Sequence, residues 1–219
     1  MIFDWFKSKK ADESKRVSLP SPLNLRLGSA VELDLLPFQM MSEQLRFTLP
    51  EGVQTIEAAG FIDLGAGASL CRFYTADDGF IQVSTSGGYE AQNIDDIKFF
   101  VFTQTHNIAS QSGVGLWVSD SGLIGDKHFE LDETRYRRVW DEAVPGRIEP
   151  VNFTETVHSR DESVSVYEVD HLAMLYQRQI NDSERYEYLL ASLEFSSDDE
   201  ATAVVSLGFD LDMSSMNIT

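Results

Sequence analysis

Hydrophobic and polar positions alternate most clearly between residues 53 and 104, in four short runs separated by clusters of Gly, Asp and Ser. Ile56, Ala58, Ile62 and Leu64 share one parity. Gly65, Ala66 and Gly67 then lead into a run at 70–75, and Asp77, Asp78 and Gly79 into another at 80–85. A period of two, broken by turn residues at such intervals, predicts antiparallel strands joined by tight hairpins. The fourth run, 97–102, is apolar on both parities, and a strand of that kind belongs in a sheet covered on both faces. The stretch reads as a β-meander.

The rhythm returns later in the chain. Residues 129–140 have strand character, and runs at 151–157, 164–169, 172–177, 186–195 and 202–211 alternate as before, with turns at 160–162, 181–182 and 196–200. The order of residues at 72–82 is loosely echoed at 165–175. Such an echo suggests two similar β-meander halves, 23–125 and 126–219, packed face to face, with a cleft at their interface. Between residues 23 and 49, Val31, Leu35, Phe38, Met41 and Leu45 fall three or four apart, which predicts a helix on either side of Pro37 or one starting there. Residues 106–125, rich in Ser, Gly and Asn around Leu116, Trp117 and Val118, read as a long functional loop or a short packed helix. The expected fold class is mainly β (α+β): antiparallel β-meanders with one or two short helices.

A chain of 219 residues that is 42% hydrophobic has enough apolar surface to fill one β-rich domain. Its formal charge of -19 is unevenly spread. Lys7, Lys9, Lys10, Lys15 and Arg16 against Asp4, Asp12 and Glu13 give the first 16 residues +2 and leave -21 for the remainder. An acidic body repels phosphate backbones, which argues against nucleic-acid binding and leaves either a solvated surface or a basic partner. The one cysteine, Cys71, lies in a predicted strand and reads as a buried structural thiol.

The first residues stand apart. Ile2, Phe3, Trp5 and Phe6, followed by Lys7, Lys9 and Lys10, form an aromatic and basic tip, and residues 11–22 form a polar linker ending in Leu-Pro-Ser-Pro. Residues 1–22 therefore read as a tethered peptide ahead of a β-rich domain at 23–219. Aromatic rings favour the bilayer interface and lysines favour anionic headgroups, so the tip reads as a weak membrane foot or a docking peptide. The plainer alternatives are a turn of helix packed on its own domain or a disordered start. With no secretory pattern and no run of membrane-spanning length, a cytoplasmic location is expected, peripheral to the inner membrane if the tip is a foot.

The inventory of chemical motifs is poor. His106, His128, His158 and His171 have no metal-ligand spacing, and the acidic pairs at 77–78, 95–96 and 198–199 sit in turns. Phosphate-binding glycine loops and a nucleophile elbow are absent from the sequence. No catalytic residue, metal or cofactor is assigned. Arg135 and Arg137 share a parity and would stand side by side, either paired with local carboxylates or holding an anion. With His171 they make the candidate anion or ligand site.

Several uncommon strings occur in one order: Leu-Arg-Leu-Gly-Ser-Ala-Val-Glu-Leu-Asp at 25–34, Phe-Thr-Leu-Pro-Glu-Gly at 47–52, Ile-Asp-Leu-Gly at 62–65 and Arg-Phe-Tyr-Thr at 72–75. Gly-Leu-Ile-Gly at 122–125, Arg-Val-Trp-Asp at 138–141, Val-Asp-His-Leu-Ala-Met-Leu-Tyr at 169–176 and Arg-Tyr-Glu-Tyr-Leu-Leu at 185–190 continue the series. Over residues 23–219 the chain resembles the YjfK-like family of uncharacterised bacterial proteins. The resemblance brings no assigned activity and no catalytic residues. Its members often lie beside genes for a phage-shock-protein-A-like coiled-coil protein and small membrane proteins. The resemblance thus implies an accessory of an envelope-stress or membrane-maintenance system.

Two functions are therefore expected. One is a non-enzymatic interaction module that docks through residues 2–10 or its acidic surface on a protein partner, such as a membrane-associated or coiled-coil stress protein. The alternative is a small-molecule-binding protein or enzyme with its site between the two β halves.

Overall fold

A computed structural model describes residues 19–160, 166–181, 183–196 and 201–219. The chain enters through β1 (Ala30–Leu33) and a single helical turn, α1 (Leu36–Gln39), whose first turn holds Pro37. Four strands follow as a meander: β2 (Val53–Gly65), β3 (Ala68–Thr75), β4 (Gly79–Ser86) and β5 (Ile94–Ile108). Gly65 and Gly67 make the β2–β3 turn with φ of 80° and 84°, a region that glycine enters without the steric cost of a Cβ. Helix α2 (Gln111–Val118) comes next, its first turn capped by the Ser110 hydroxyl, which accepts from Gly113 N at 3.2 Å. The hairpin of β6 (His128–Leu131) and β7 (Thr134–Arg138) precedes a second meander: β8 (Val151–Ser159), β9 (Tyr167–Gln179), β10 (Tyr186–Phe195) and β11 (Ala201–Asp210). A short β12 (Met216–Ile218) pairs with β1.

The two meanders join edge to edge rather than face to face. Strand β5 pairs with β11 from Ile108↔Ala201 to Lys98↔Asp210, and β2 pairs with β8 from Ala58↔Ser159 to Phe61↔Thr156. Eight antiparallel strands thereby close into a barrel, which removes the sheet edges that two separate sheets would leave unpaired. The expected cleft between stacked sheets is replaced by an interior enclosed by both meanders.

Alternation along the strands then sorts the residues. Phe80, Phe100, Leu175 and Leu190 point into the barrel. On the outside, Leu25, Val31, Leu35 and Phe38 cover Phe73, Ile81, Phe99 and Phe209. Elsewhere on the outer wall, Ile124, Phe129 and Tyr136 cover Tyr176, Leu189 and Leu207. These covers explain why β5, β10 and β11 are apolar on both faces. Each large side chain they bury contributes roughly 1.5–3 kcal/mol.

Three local expectations need correction. Ile56 and Ala58 share a parity in sequence, yet Ile56 faces the outer core and Ala58 the interior, because the ladder steps from Ile56↔Thr75 to Ala58↔Tyr74 and leaves Glu57 as a bulge. The runs at 164–169 and 172–177 are not separate strands where described, since β9 passes unbroken through Asp170 and His171. The echo between 72–82 and 165–175 therefore aligns a hairpin turn at 77–79 with the middle of a strand and does not superpose like on like. The helix expected around Pro37 is one turn long, and Val31 belongs to a strand. The turns expected at 160–162, 181–182 and 196–200 run into residues outside those described.

Candidate functional site

The barrel places charged residues in positions that alternation reserves for apolar ones. Arg72 on β3 donates from Nη1 to Glu155 Oε2 on β8 at 2.7 Å and from Nε to Gln82 Oε1 at 3.0 Å. The Tyr74 hydroxyl donates to Glu155 Oε1 at 2.7 Å. Both ionic side chains are shut off from solvent, 4% and 1% exposed. The guanidinium also lies over the Phe80 and Phe153 rings, 5.3 and 5.5 Å from their centroids. Room for the Glu155 carboxylate comes from Gly60, where an added Cβ would fall 1.6 Å from Oε1.

Burial by itself would raise the Glu155 carboxyl. Arg72, then His171 and Tyr74, outweigh that and hold it at about 2. Burial likewise opposes the Arg72 charge, but Glu155 outweighs it and the guanidinium is raised. The Tyr74 phenol is pushed well above its ordinary value by burial first and the Glu155 charge second. The pair is therefore ionised at neutral pH and Tyr74 keeps its proton.

His171 on β9 stands beside this pair. Its Nε2 lies 3.2 Å from Glu155 Oε2 and its Nδ1 lies 3.6 Å from Glu194 Oε1, with the side chain 3% exposed. The first approach lacks the direction of a hydrogen bond and the second is too long for one, so neither ring nitrogen is hydrogen-bonded among the described residues. Stacking on Phe153, with centroids 4.9 Å apart and planes 19° apart, fixes the ring. Glu194 on β10 accepts from the Ser192 hydroxyl at 2.7 Å and is the more accessible carboxylate, 28% exposed.

Of these groups Arg72, Tyr74, His171, Ser192 and Glu194 border a cavity of about 290 Å³ to which all eight barrel strands contribute. Phe102, Tyr167, Tyr74 and Glu194 are among its lining residues, with Arg72 and His171 the buried charged or titratable ones. Eight-stranded barrels are just wide enough to be filled by side chains or to hold one small ligand, and this interior does both along its length. Phe100, Leu175 and Leu190 fill one part. Further along, Lys98 Nζ reaches Asp96 and Asp210 at 2.6 and 2.8 Å and lies 4.3 Å from the Tyr188 ring centroid. A larger hollow of about 820 Å³ lies at the β2–β3 and β4–β5 turns, lined by Gly65, Gly67, Gly87, Tyr89 and Glu168 among others. It is broad and open, and none of the buried polar atoms without a hydrogen bond lines it.

The residues singled out from sequence are dispersed. Arg135 and Arg137 are exposed on β7, where Arg135 Nη2 lies 2.9 Å from His128 Nδ1 and Arg137 pairs with Glu142 at 2.8 Å. His171 is inside the barrel, and the structure does not bring it to those arginines. Ile2, Phe3, Trp5, Phe6, Lys7, Lys9 and Lys10 lie outside the described residues. The neighbouring Arg138 is buried and donates to the carbonyls of Trp140, Gly125, Gly146, Asp141 and Val144, so it organises the loops around β6 and β7. Arg72, Glu155 and Glu194, all inside the barrel, belong to no chemical motif in the sequence. Their signal was nevertheless present: Arg72 sits between Leu70 and Tyr74, and Glu155 between Phe153 and Val157, each charged in an inward slot.

Among the described residues, no group of three or more His, Cys, Asp or Glu side chains is placed to hold a metal ion, and no helix is long and apolar enough to cross a membrane. No solved structure matches the chain. The chain is 33% identical over 220 residues to the uncharacterized protein YjfK of Escherichia coli (strain K12), covering 98% of each. A family model described as protein of unknown function (DUF2491) matches residues 1–217. By both measures this β-barrel chain belongs to the DUF2491 family.

Proposed function

We propose that the protein is a small-molecule-binding barrel whose ligand occupies the cavity enclosed by the two meanders. One observation carries the reading: a buried imidazole, His171, borders that cavity with neither nitrogen in a hydrogen bond among the described residues, although carboxylate oxygens lie 3.2 and 3.6 Å away. Buried polar groups are normally hydrogen-bonded, and leaving one unsatisfied costs about 1–3 kcal/mol. A ligand that supplies the missing partner recovers that cost. The cavity is near the lower end of small-ligand sites, which begin at about 300 Å³, and its aromatic lining with a few converging polar groups has their usual character.

Native mass spectrometry of the full chain, beside a Val204→Phe variant that fills the cavity, tests this. A small bound mass carried by the parent and lost from the variant supports the reading. Identical spectra, together with no stabilisation of either protein in a metabolite screen by melting temperature, overturn it.

The docking role is a second proposal, favoured by the separation of a +2 tip from a -21 body. In it, Ile2 to Lys10 contact a membrane-associated or coiled-coil stress protein, and the barrel serves an accessory role in envelope maintenance. Pull-downs comparing the full chain with one starting at Val17 test it: a partner recovered equally by both removes the tip from the mechanism.

A further inference from the structure

We infer that the ligand of the barrel cavity is a small organic cation carrying at least two N–H donors, an amidinium or a primary ammonium beside a flat apolar group. The inference rests on the binding reading above and adds the chemical class. It begins with the charges around the cavity. Arg72 and Glu155 neutralise each other at 2.7 Å, and Glu155 also accepts from Tyr74. Glu194 is different. Its contacts are a neutral hydroxyl, Ser192, and the imidazole of His171 at 3.6 Å; Arg72 feels its charge only at longer range, and no lysine or arginine lies within ion-pair distance of it among the described residues.

The histidine sharpens the choice. Each of its ring nitrogens faces a carboxylate oxygen, Glu155 on one side and Glu194 on the other. In its neutral form the imidazole has one donor, and with that N–H turned to Glu155 the Nδ1 lone pair faces the Glu194 carboxylate 3.6 Å away. Two acceptors, Nδ1 and the Glu194 carboxylate, then lie side by side at the cavity wall with no proton between them. A cationic group with two N–H bonds satisfies both, one toward Glu194 and one toward the imidazole, as a charge-assisted pair. An anion would meet Glu194 instead, and Arg72, which also borders the cavity, is already engaged by Glu155.

The rings at the mouth fit the same ligand. Tyr74 and Phe102 stack with their planes 4° apart and centroids 6.4 Å apart, and the half-exposed Tyr167 also borders the cavity. Aromatic faces attract cations and accept flat apolar groups. The acidic body adds a long-range field that draws cations toward the molecule.

Three planar probes of nearly equal shape separate the possibilities: benzamidinium, neutral benzamide and anionic benzoate, each titrated into the full chain by calorimetry and by melting temperature. Benzamidinium should bind at least about tenfold tighter than benzamide, as expected for a hydrogen bond to a charged group, and benzoate should not bind. Glu194→Gln should weaken benzamidinium about tenfold and leave benzamide unchanged. Phe102→Leu, which keeps the carboxylate, should weaken benzamidinium roughly two- to fivefold, so the test survives if the first variant folds poorly. Benzoate or benzamide binding as tightly as benzamidinium overturns the cation inference. If Val204→Phe blocks that binding, the barrel reading stands without it. Failure of all three probes to bind also overturns the inference, and the barrel reading is then judged by the native mass spectra alone.

Discussion

Replacing Glu155 by glutamine keeps the shape of the side chain and removes the charge that Arg72 faces. The two side chains are 4% and 1% exposed, so water cannot take the place of the lost carboxylate. Breaking a buried pair on one side costs about 3–5 kcal/mol, because a desolvated charge is left behind. The carboxyl points the same way: against an ordinary value of 4.5 it is held, despite burial, at about 2 in the folded chain, chiefly by Arg72. In a domain of this size about 1 kcal/mol moves the melting temperature by roughly 2–4 °C, so the variant should melt roughly 6–20 °C lower at neutral pH.

The pH dependence follows from the direction of the shift. A carboxyl held lower in the folded chain than in the unfolded one contributes stability above about 4.5, and that contribution is lost as pH falls toward about 2. The gap between parent and variant should therefore narrow over that window. Circular dichroism melts at several pH values measure it. A variant that melts within about 2 °C of the parent at neutral pH would show that the pair is not desolvated as described. Arg72→Met with Glu155→Leu, which removes both charges, should recover most of the loss.

Gly60→Ala should destabilise by a comparable amount, since its Cβ would sit 1.6 Å from Glu155 Oε1 and that carboxylate is held by Arg72 and Tyr74. In a Glu155→Ala background the same change should cost little, and equal costs in both backgrounds would refute the clash. Burial pushes the Cys71 thiol up to about 12, so a thiolate-selective reagent at mild alkaline pH should label the protein only after unfolding in urea; rapid native labelling would contradict that. Arg138→Met removes five hydrogen bonds to loop carbonyls. Amide exchange should quicken at residues 125–148 while probe binding in the barrel stays unchanged, and unaltered exchange there would show that the loops are held by other contacts.

Alternation and turn residues determined much of the strand list. The run at 186–195 coincides with β10, and those at 70–75 and 80–85 lie within β3 and β4. Residues apolar on both parities marked β5 as covered on both faces, and the burial of Phe99 outside and Phe100 inside is the consequence. These features are local, because side-chain parity and turn chemistry are written within a few neighbouring residues. The hairpin turn at Asp132 and Glu133, both at positive φ, was not legible, because neither residue carries the Asn-Gly or Asp-Gly signature of such turns.

Tertiary structure decided the rest. A one-residue bulge at Glu57 reversed the parity of β2, and nothing in the local pattern distinguishes Glu57 from its neighbours. Which strand edges meet was decided by β2 meeting β8 and β5 meeting β11, partners separated by about a hundred residues. The site follows from that closure. Inward parity alone marked Arg72 and Glu155 as charges in apolar slots, yet they lie 83 residues apart in sequence. Only the barrel's register brings the guanidinium, the carboxylate and the unpartnered imidazole together, because a charge buried on one strand needs its partner supplied across the closed sheet.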